Sequence, residues 1–306
     1  MPSTGWILMI IFVTLDSVLG YILNFCILVV GVNCLRTGQK LNPPDLINFV
    51  LGLVNFLFQC LLSFQSIIAK FHVSLMRIRE VYGPISVGMM TLTYFTYWLT
   101  SWLCIYYCVT ISNFNHPVLV WSKRTISMYL PRLLLLSAAG CFFISLPMNW
   151  MSTMEVTLQP AVNSTIDPIS INYVARIQPS YMQSASFMGC YVPFLLILIS
   201  IMVINSSLIR HLWKMRQKNS GLSQTKYHAH VNAIRTMWLF LTISIIFCIS
   251  EMMLYTMPPN PEDYRTVVNW FIFMSFPAVE SLVIVSANPK LRRQIMVKVL
   301  CCYRKQ

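Results

Sequence analysis

Negative charge is what this chain has least of: nine Asp and Glu in 306 residues, against 22 Lys and Arg, with all charged residues amounting to only 10%. That scarcity excludes an ordinary soluble domain, in which about a quarter of the residues are charged. The charges are also widely spaced. Residues 17–35, 46–69, 81–122, 133–154 and 177–209 carry none, while 236–257 and 266–288 carry one acid each, Glu251 and Glu280. A membrane-spanning helix needs about 20 mostly apolar residues. Seven segments qualify, read at approximately 6–35, 46–69, 83–113, 127–150, 183–212, 233–257 and 266–288. The expected fold class is an all-α integral membrane protein. Residues 1–306 are read as a single domain, a seven-transmembrane-helix bundle with a short amphipathic C-terminal helix in the tail 289–306.

Other absences narrow the function. No H-E-x-x-H, G-x-S-x-G, phosphate-cradling glycine loop or CxxC pair occurs, so no enzyme is expected and no cofactor is implied. His228 and His230 sit two residues apart, which on a helix points them to different faces and argues against a metal site. The halves show no internal repeat, and an odd span count fits a two-fold repeat poorly, which disfavours a transporter. The first Lys or Arg is Arg36, so the positive n-region of a signal peptide is missing and the first apolar run is expected to stay as a span.

Topology follows from the positive charges. With the amino terminus outside, 17 of the 22 Lys and Arg fall on inner segments, and only Lys70, Arg77, Arg79, Arg176 and Arg265 fall on outer loops. Positive charge marks cytoplasmic loops, so the protein is expected in the plasma membrane with its N-terminus extracellular and its C-terminus cytoplasmic. The net charge of +13 then belongs to a basic inner face beside lipid, not to a nucleic-acid surface. Asn163-Ser164-Thr165 is a glycosylation acceptor in a loop that this topology places outside. Of the ten cysteines, none falls in an outer loop, so no extracellular disulfide is expected. Cys301 and Cys302 follow the basic amphipathic stretch KLRRQIMVKVL and fit palmitoylation or plain contact with lipid equally well.

Charged side chains inside a membrane are costly and therefore informative, which singles out Asp16, Glu251 and Glu280. Glu251 stands seven residues before Pro258, about 10 Å below the outer end of its helix at 1.5 Å per residue. Phe95, Trp98 and Trp102 share a face of the third span, and Tyr255 and Trp270 add aromatics in the outer half of spans six and seven. An acid among aromatics predicts a pocket for amphipathic or cationic small molecules, with Met188 a further wall residue. Three prolines within spans, Pro147, Pro193 and Pro277, predict local bends.

The motifs are more specific than the pattern. Trp98, Leu99, Leu103, Tyr107, Ile111, Asn113 and Phe114 stand in span three; Gly20 and Asn24 in span one; Lys40, Leu41 and Asp45 after it. Span five ends in Ser207, Leu208, His211 and Met215, span six is preceded by Ala229, His230, Ala233, Ile234 and Arg235, and span seven ends in Pro277, Ser281, Asn288, Lys290 and Leu291. In order and spacing these residues resemble the bitter taste receptors, the type 2 taste receptor family of G-protein-coupled receptors, over nearly the whole chain. The vomeronasal type 1 pheromone receptors are the nearest alternative, and a small-solute transporter a more distant one. Departures mark a divergent member: Asn55 stands where the family has an arginine, which alters the polar contact expected with Asn24. Glu280 stands where the family has a histidine. The resemblance implies bitter small-molecule agonists and a gustducin-like, Gi-class heterotrimeric G protein. It also implies a coupling surface at Asn113, His116, His211, Met215, His230 and Arg235.

Overall fold

The computed structural model describes residues 4–71, 75, 78–111, 117–160, 169–216, 224–256, 264–288 and 291–293. Seven long helical segments run through it. Helix α1 is Thr4–Arg36, α2 Pro43–Phe71, α3 Arg79–Ile111 and α4 Pro117–Ser145, extended by the single turn α5, Met148–Met151. The fifth segment is α6, Pro179–Ser186, a π-helical turn at Phe187–Tyr191 and α7, Val192–Arg216. Helix α8 is Gln224–Thr256 and α9 Tyr264–Ala287. Residues 291–293 form a further helical turn; the rest of the expected amphipathic tail, with Cys301 and Cys302, lies outside the described residues, as does Asn163.

Local chemistry explains several ends. After α1 the chain turns at Gly38, whose φ of +72° is the left-handed geometry that only glycine adopts cheaply. Helix α2 opens on Pro43-Pro44 with Asp45 in its first turn, where a missing N–H costs nothing and the helix dipole favours an acid. Pro117 likewise opens α4, so the helix runs ten residues ahead of the apolar stretch and carries Lys123-Arg124 on it. Pro147 does not bend its helix: it lies in the two-residue turn that separates α4 from α5. Pro193 follows the π-helical turn, where its missing N–H cannot serve the carbonyl of Gly189 four residues back.

Six of the helical segments are long and apolar enough to cross a membrane by composition. The seventh, α3, is less apolar because it carries Thr, Ser, Tyr and Trp, and its position explains why it can. It packs against α2, α4, α7 and α8, and Tyr94, Thr96, Tyr97, Leu99, Thr100, Ser101, Leu103 and Cys104 are all buried. A helix enclosed by protein can satisfy hydroxyls that lipid could not. The opposite case is α4, where Leu135 is 72% and Phe143 68% exposed; apolar side chains so bare suit a hydrocarbon surround.

One element departs from the all-α expectation. Ser152–Pro160 and Ile169–Ile177 form an antiparallel two-stranded hairpin between the fourth and fifth segments, with Glu155 opposite Val174. Its base is tied where the Gln178 amide donates to the Met151 carbonyl. The period-two signal was present in Met154, Val156, Leu158 and in Ile169, Ile171, Tyr173, Ala175.

Candidate functional site: a buried acid between helices and a cleft at the opposite end

Glu251 is buried, on α8, at 4% exposure. Cys248 lies one turn before it on the same face, and its Sγ lies 3.3 Å from the Tyr97 hydroxyl oxygen of α3. Cys190, from the π-helical turn, lies beside both Cys248 and Glu251. One carboxylate oxygen, Oε2, has no protein partner. Three elements distant in sequence thus converge on a single acid that retains an unused acceptor.

The surroundings are aromatic. Phe247 stacks on Phe276 with ring centroids 3.9 Å apart and on Phe273 at 5.3 Å, and Tyr97 lies 5.8 Å from Phe247. Trp270 meets Phe273 edge-on at 5.9 Å. At this level α8 and α9 are locked by two reciprocal bonds: the Asn269 Nδ2 donates to the Ser250 carbonyl at 2.9 Å, and the Ser250 hydroxyl to the Asn269 carbonyl at 3.1 Å.

The residues singled out from sequence divide accordingly. Glu251 and Trp270 join one connected cluster through Phe273, Phe247 and Tyr97. Trp98 and Trp102 form their own pair on α3, with centroids 6.5 Å apart, and the Trp102 indole donates to Ser137 Oγ of α4 at 3.0 Å. Met188, in the π-helical turn, is half exposed. Tyr255 lies on α8, its side chain outside the described residues. Tyr97, Cys190 and Cys248 were not found from sequence, since nothing local marks a tyrosine or a cysteine in a span as the neighbour of a distant acid.

At the other end of the bundle, where α2 and α8 begin and α3 and α9 finish, lies a cleft of about 210 Å³ lined by Asp45, Asn48, Tyr107, Phe240, Ile284 and Asn288 among others. The Asn288 amide donates to Asp45 Oδ1 at 3.2 Å while its Oδ1 accepts from the Leu291 backbone N–H at 3.2 Å, capping the turn at 291–293. Arg235 is exposed on α8, next to the cleft residue Thr236. His211 and Met215 lie on the last turns of α7 and His230 on α8, their side chains outside the described residues; Asn113 and His116 lie outside them altogether. Among the described residues no group of three or more His, Cys, Asp and Glu is placed to hold a metal.

The remaining polar interior answers a question raised by the sequence. Asn24 donates to the Gly20 carbonyl at 2.9 Å and accepts from the Ser281 hydroxyl at 2.6 Å, joining α1 to α9. Asn55 instead donates to Glu280 at 2.8 Å, so the two departures from the family pattern are partners of each other. Asp16 also has a neighbour that its sequence did not reveal, Ser275 of α9.

Residues 1–304 match the family described as Taste receptor protein (TAS2R). Similar proteins include Taste receptor type 2 member 143 of Rattus norvegicus, 30% identical over 97% of this chain and 100% of the relative. Taste receptor type 2 member 41 of Pan paniscus is 30% identical over 75% of each chain, and Taste receptor type 2 member 40 of Gallus gallus is 24% identical over 90% of this chain and 89% of the relative. A seven-helix bundle with these relatives along its whole length belongs to the type 2 taste receptor family, the bitter taste receptors, and is a multi-pass membrane receptor of the G-protein-coupled class.

Proposed function

We propose that this receptor sits in the plasma membrane with its amino end outside, binds bitter small molecules in a pocket open to the outside, and activates a gustducin-like, Gi-class heterotrimeric G protein. The observation that carries the reading is Glu251. A buried carboxylate with an unpaired oxygen, held among α3, the fifth segment and α8 and backed by stacked aromatics, suits a cationic or hydrogen-bonding ligand. Trp98, Trp102, Tyr255, Trp270 and Met188 complete the candidate wall. A ligand there contacts helices that also border the cleft at the opposite end, α3, α8 and α9. It shifts the population toward whichever arrangement it binds better, tenfold for about every 1.4 kcal/mol of difference. Asn113, His116, His211, Met215, His230 and Arg235 are the candidate coupling residues around that cleft, and the receptor promotes exchange without chemistry of its own. Asn163 as a glycan acceptor and Cys301 and Cys302 as lipid anchors remain part of the same reading.

The test is agonist-dependent nucleotide exchange on a purified Gi-class heterotrimer, screened against bitter compounds. Exchange driven by at least one compound supports the reading, whereas solute flux in vesicles with no exchange would favour a transporter. Glu251→Gln is expected to weaken amine agonists by about tenfold and leave neutral agonists unchanged, since it removes one charge without changing shape. Equal losses for both classes in a concentration–response series would assign Glu251 a structural role.

A further inference from the structure

The cluster around Glu251 sets a thiol between a base and a hydrogen-bond donor. Cys248 is half-buried on α8, and Glu251, one turn further along the same face, keeps its Oε2 without a protein partner at 4% exposure. The Cys248 thiol donates to the Tyr97 hydroxyl oxygen of α3, with Sγ 3.3 Å from it. A hydroxyl that accepts in this way still has its own hydrogen to give. Cys190 lies beside the same acid but is only 1% exposed, so Cys248 is the thiol that an entering molecule reaches first.

These groups have complementary parts in one reaction. A thiol attacks carbon as the thiolate, which forms where a neighbouring base takes its proton, and the unused carboxylate oxygen of Glu251 is such a base. Sulfur is soft and polarizable, so it selects a soft carbon electrophile. The Tyr97 hydroxyl suits a carbonyl oxygen that gains charge during the attack, and the stacked rings of Phe247 and Phe276 give a flat conjugated molecule an apolar wall.

We propose that Cys248 is a covalent capture site for agonists that are α,β-unsaturated carbonyl compounds, with Glu251 as the base and Tyr97 as the donor to the carbonyl oxygen. This rests on the reading of Glu251 as part of the agonist pocket and names one ligand class for it. In the step, the Cys248 S–H bond breaks and its proton passes to Glu251 Oε2. The sulfur bonds to the β-carbon as the C=C π bond opens, and the electron pair moves to the carbonyl oxygen, where Tyr97 donates. Glu251 then returns the proton to the α-carbon. Thiol and enone sum to a thioether, with no leaving group and no oxidant or reductant. An agonist held in this way outlasts its removal from solution, whereas one held by contacts alone leaves at its own off-rate.

The experiment incubates the purified full-length receptor with benzylideneacetone, an aryl enone, or with benzylacetone, the same molecule with its C=C bond saturated, and follows each cysteine by peptide mass spectrometry. Cys60 is the internal control: it is half-buried on α2 and lies beside the Tyr21 hydroxyl, but the one acid of its helix, Asp45, stands in the first turn. Cys248 is expected to take up the enone about a hundredfold faster than Cys60, and Glu251→Gln to remove that advantage, the low end for a positioned base. Benzylacetone modifies neither. Equal rates at Cys248 and Cys60 would overturn the site without any variant, and so would an unchanged Cys248 rate in Glu251→Gln. Nucleotide exchange on the Gi-class heterotrimer is read alongside. Exchange that persists after the enone is washed out, and is lost on washing in Cys248→Ser, supports the capture of an agonist. Selective labelling of Cys248 without exchange would keep the reactive thiol but refute the agonist pocket. Agonism by other bitter compounds without selective labelling would keep the pocket and refute the covalent step.

Discussion

Gly189→Ala is expected to destabilise the receptor by about 3 kcal/mol, the upper end of the range for overpacking a closed core. A Cβ built on Gly189 would stand 2.3 Å from Tyr94 Cγ and 2.4 and 2.5 Å from its two Cδ atoms, distances that real atoms do not tolerate. Tyr94 cannot swing aside, because Cγ is fixed one bond from its own Cβ and the side chain is fully buried in α3. The fifth segment would have to lift off α3, loosening the turn that also presents Cys190 to Glu251. Gly140 on α4 is the matched control: nothing lies within 4 Å of its added Cβ, so Gly140→Ala gains helix propensity of up to about 1 kcal/mol. Melting of the two purified variants beside the parent checks the pair. A parent-like melting temperature for Gly189→Ala would refute the packing argument.

What the sequence showed and what it hid divide along a physical line. The gaps between charges locate apolar helices because each lipid-facing residue is constrained by the same solvent, whatever its neighbours. Helix ends obey local backbone chemistry instead, which is why α4 starts at Pro117, well before its apolar stretch. The hairpin at Ser152–Pro160 and Ile169–Ile177 is legible in its alternation, whereas the spacing of charges marks that stretch only as a loop between spans. Glu251 stands out in the sequence as an acid in an apolar run, yet its neighbour Cys190, and Tyr97 beside Cys248, come from two other elements, and only packing brings them together. The same holds for Glu280, whose partner Asn55 is 225 residues away. Both positions stood out as departures from the family pattern, and the structure shows that they are one departure, an exchanged pair.

That pairing makes the strongest energetic prediction within the bundle. Asn55→Leu is expected to cost about 3 kcal/mol, because it strips a donor from a buried carboxylate and leaves the charge to an apolar side chain. Removing the acid as well should reverse the loss. In Asn55→Leu with Glu280→Leu no buried charge remains, and the Thr100 hydroxyl, having lost its acceptor, can turn to the carbonyl of Thr96 one turn back on α3. The double variant is therefore expected within about 1 kcal/mol of the parent, although one of its components alone is severely destabilised. A full cycle of Asn55→Leu, Glu280→Leu and the double variant, measured by thermal or denaturant melting, gives the coupling directly. Strictly additive losses would mean that Asn55 does not support the charge on Glu280, and the exchanged pair would then be two independent packing choices.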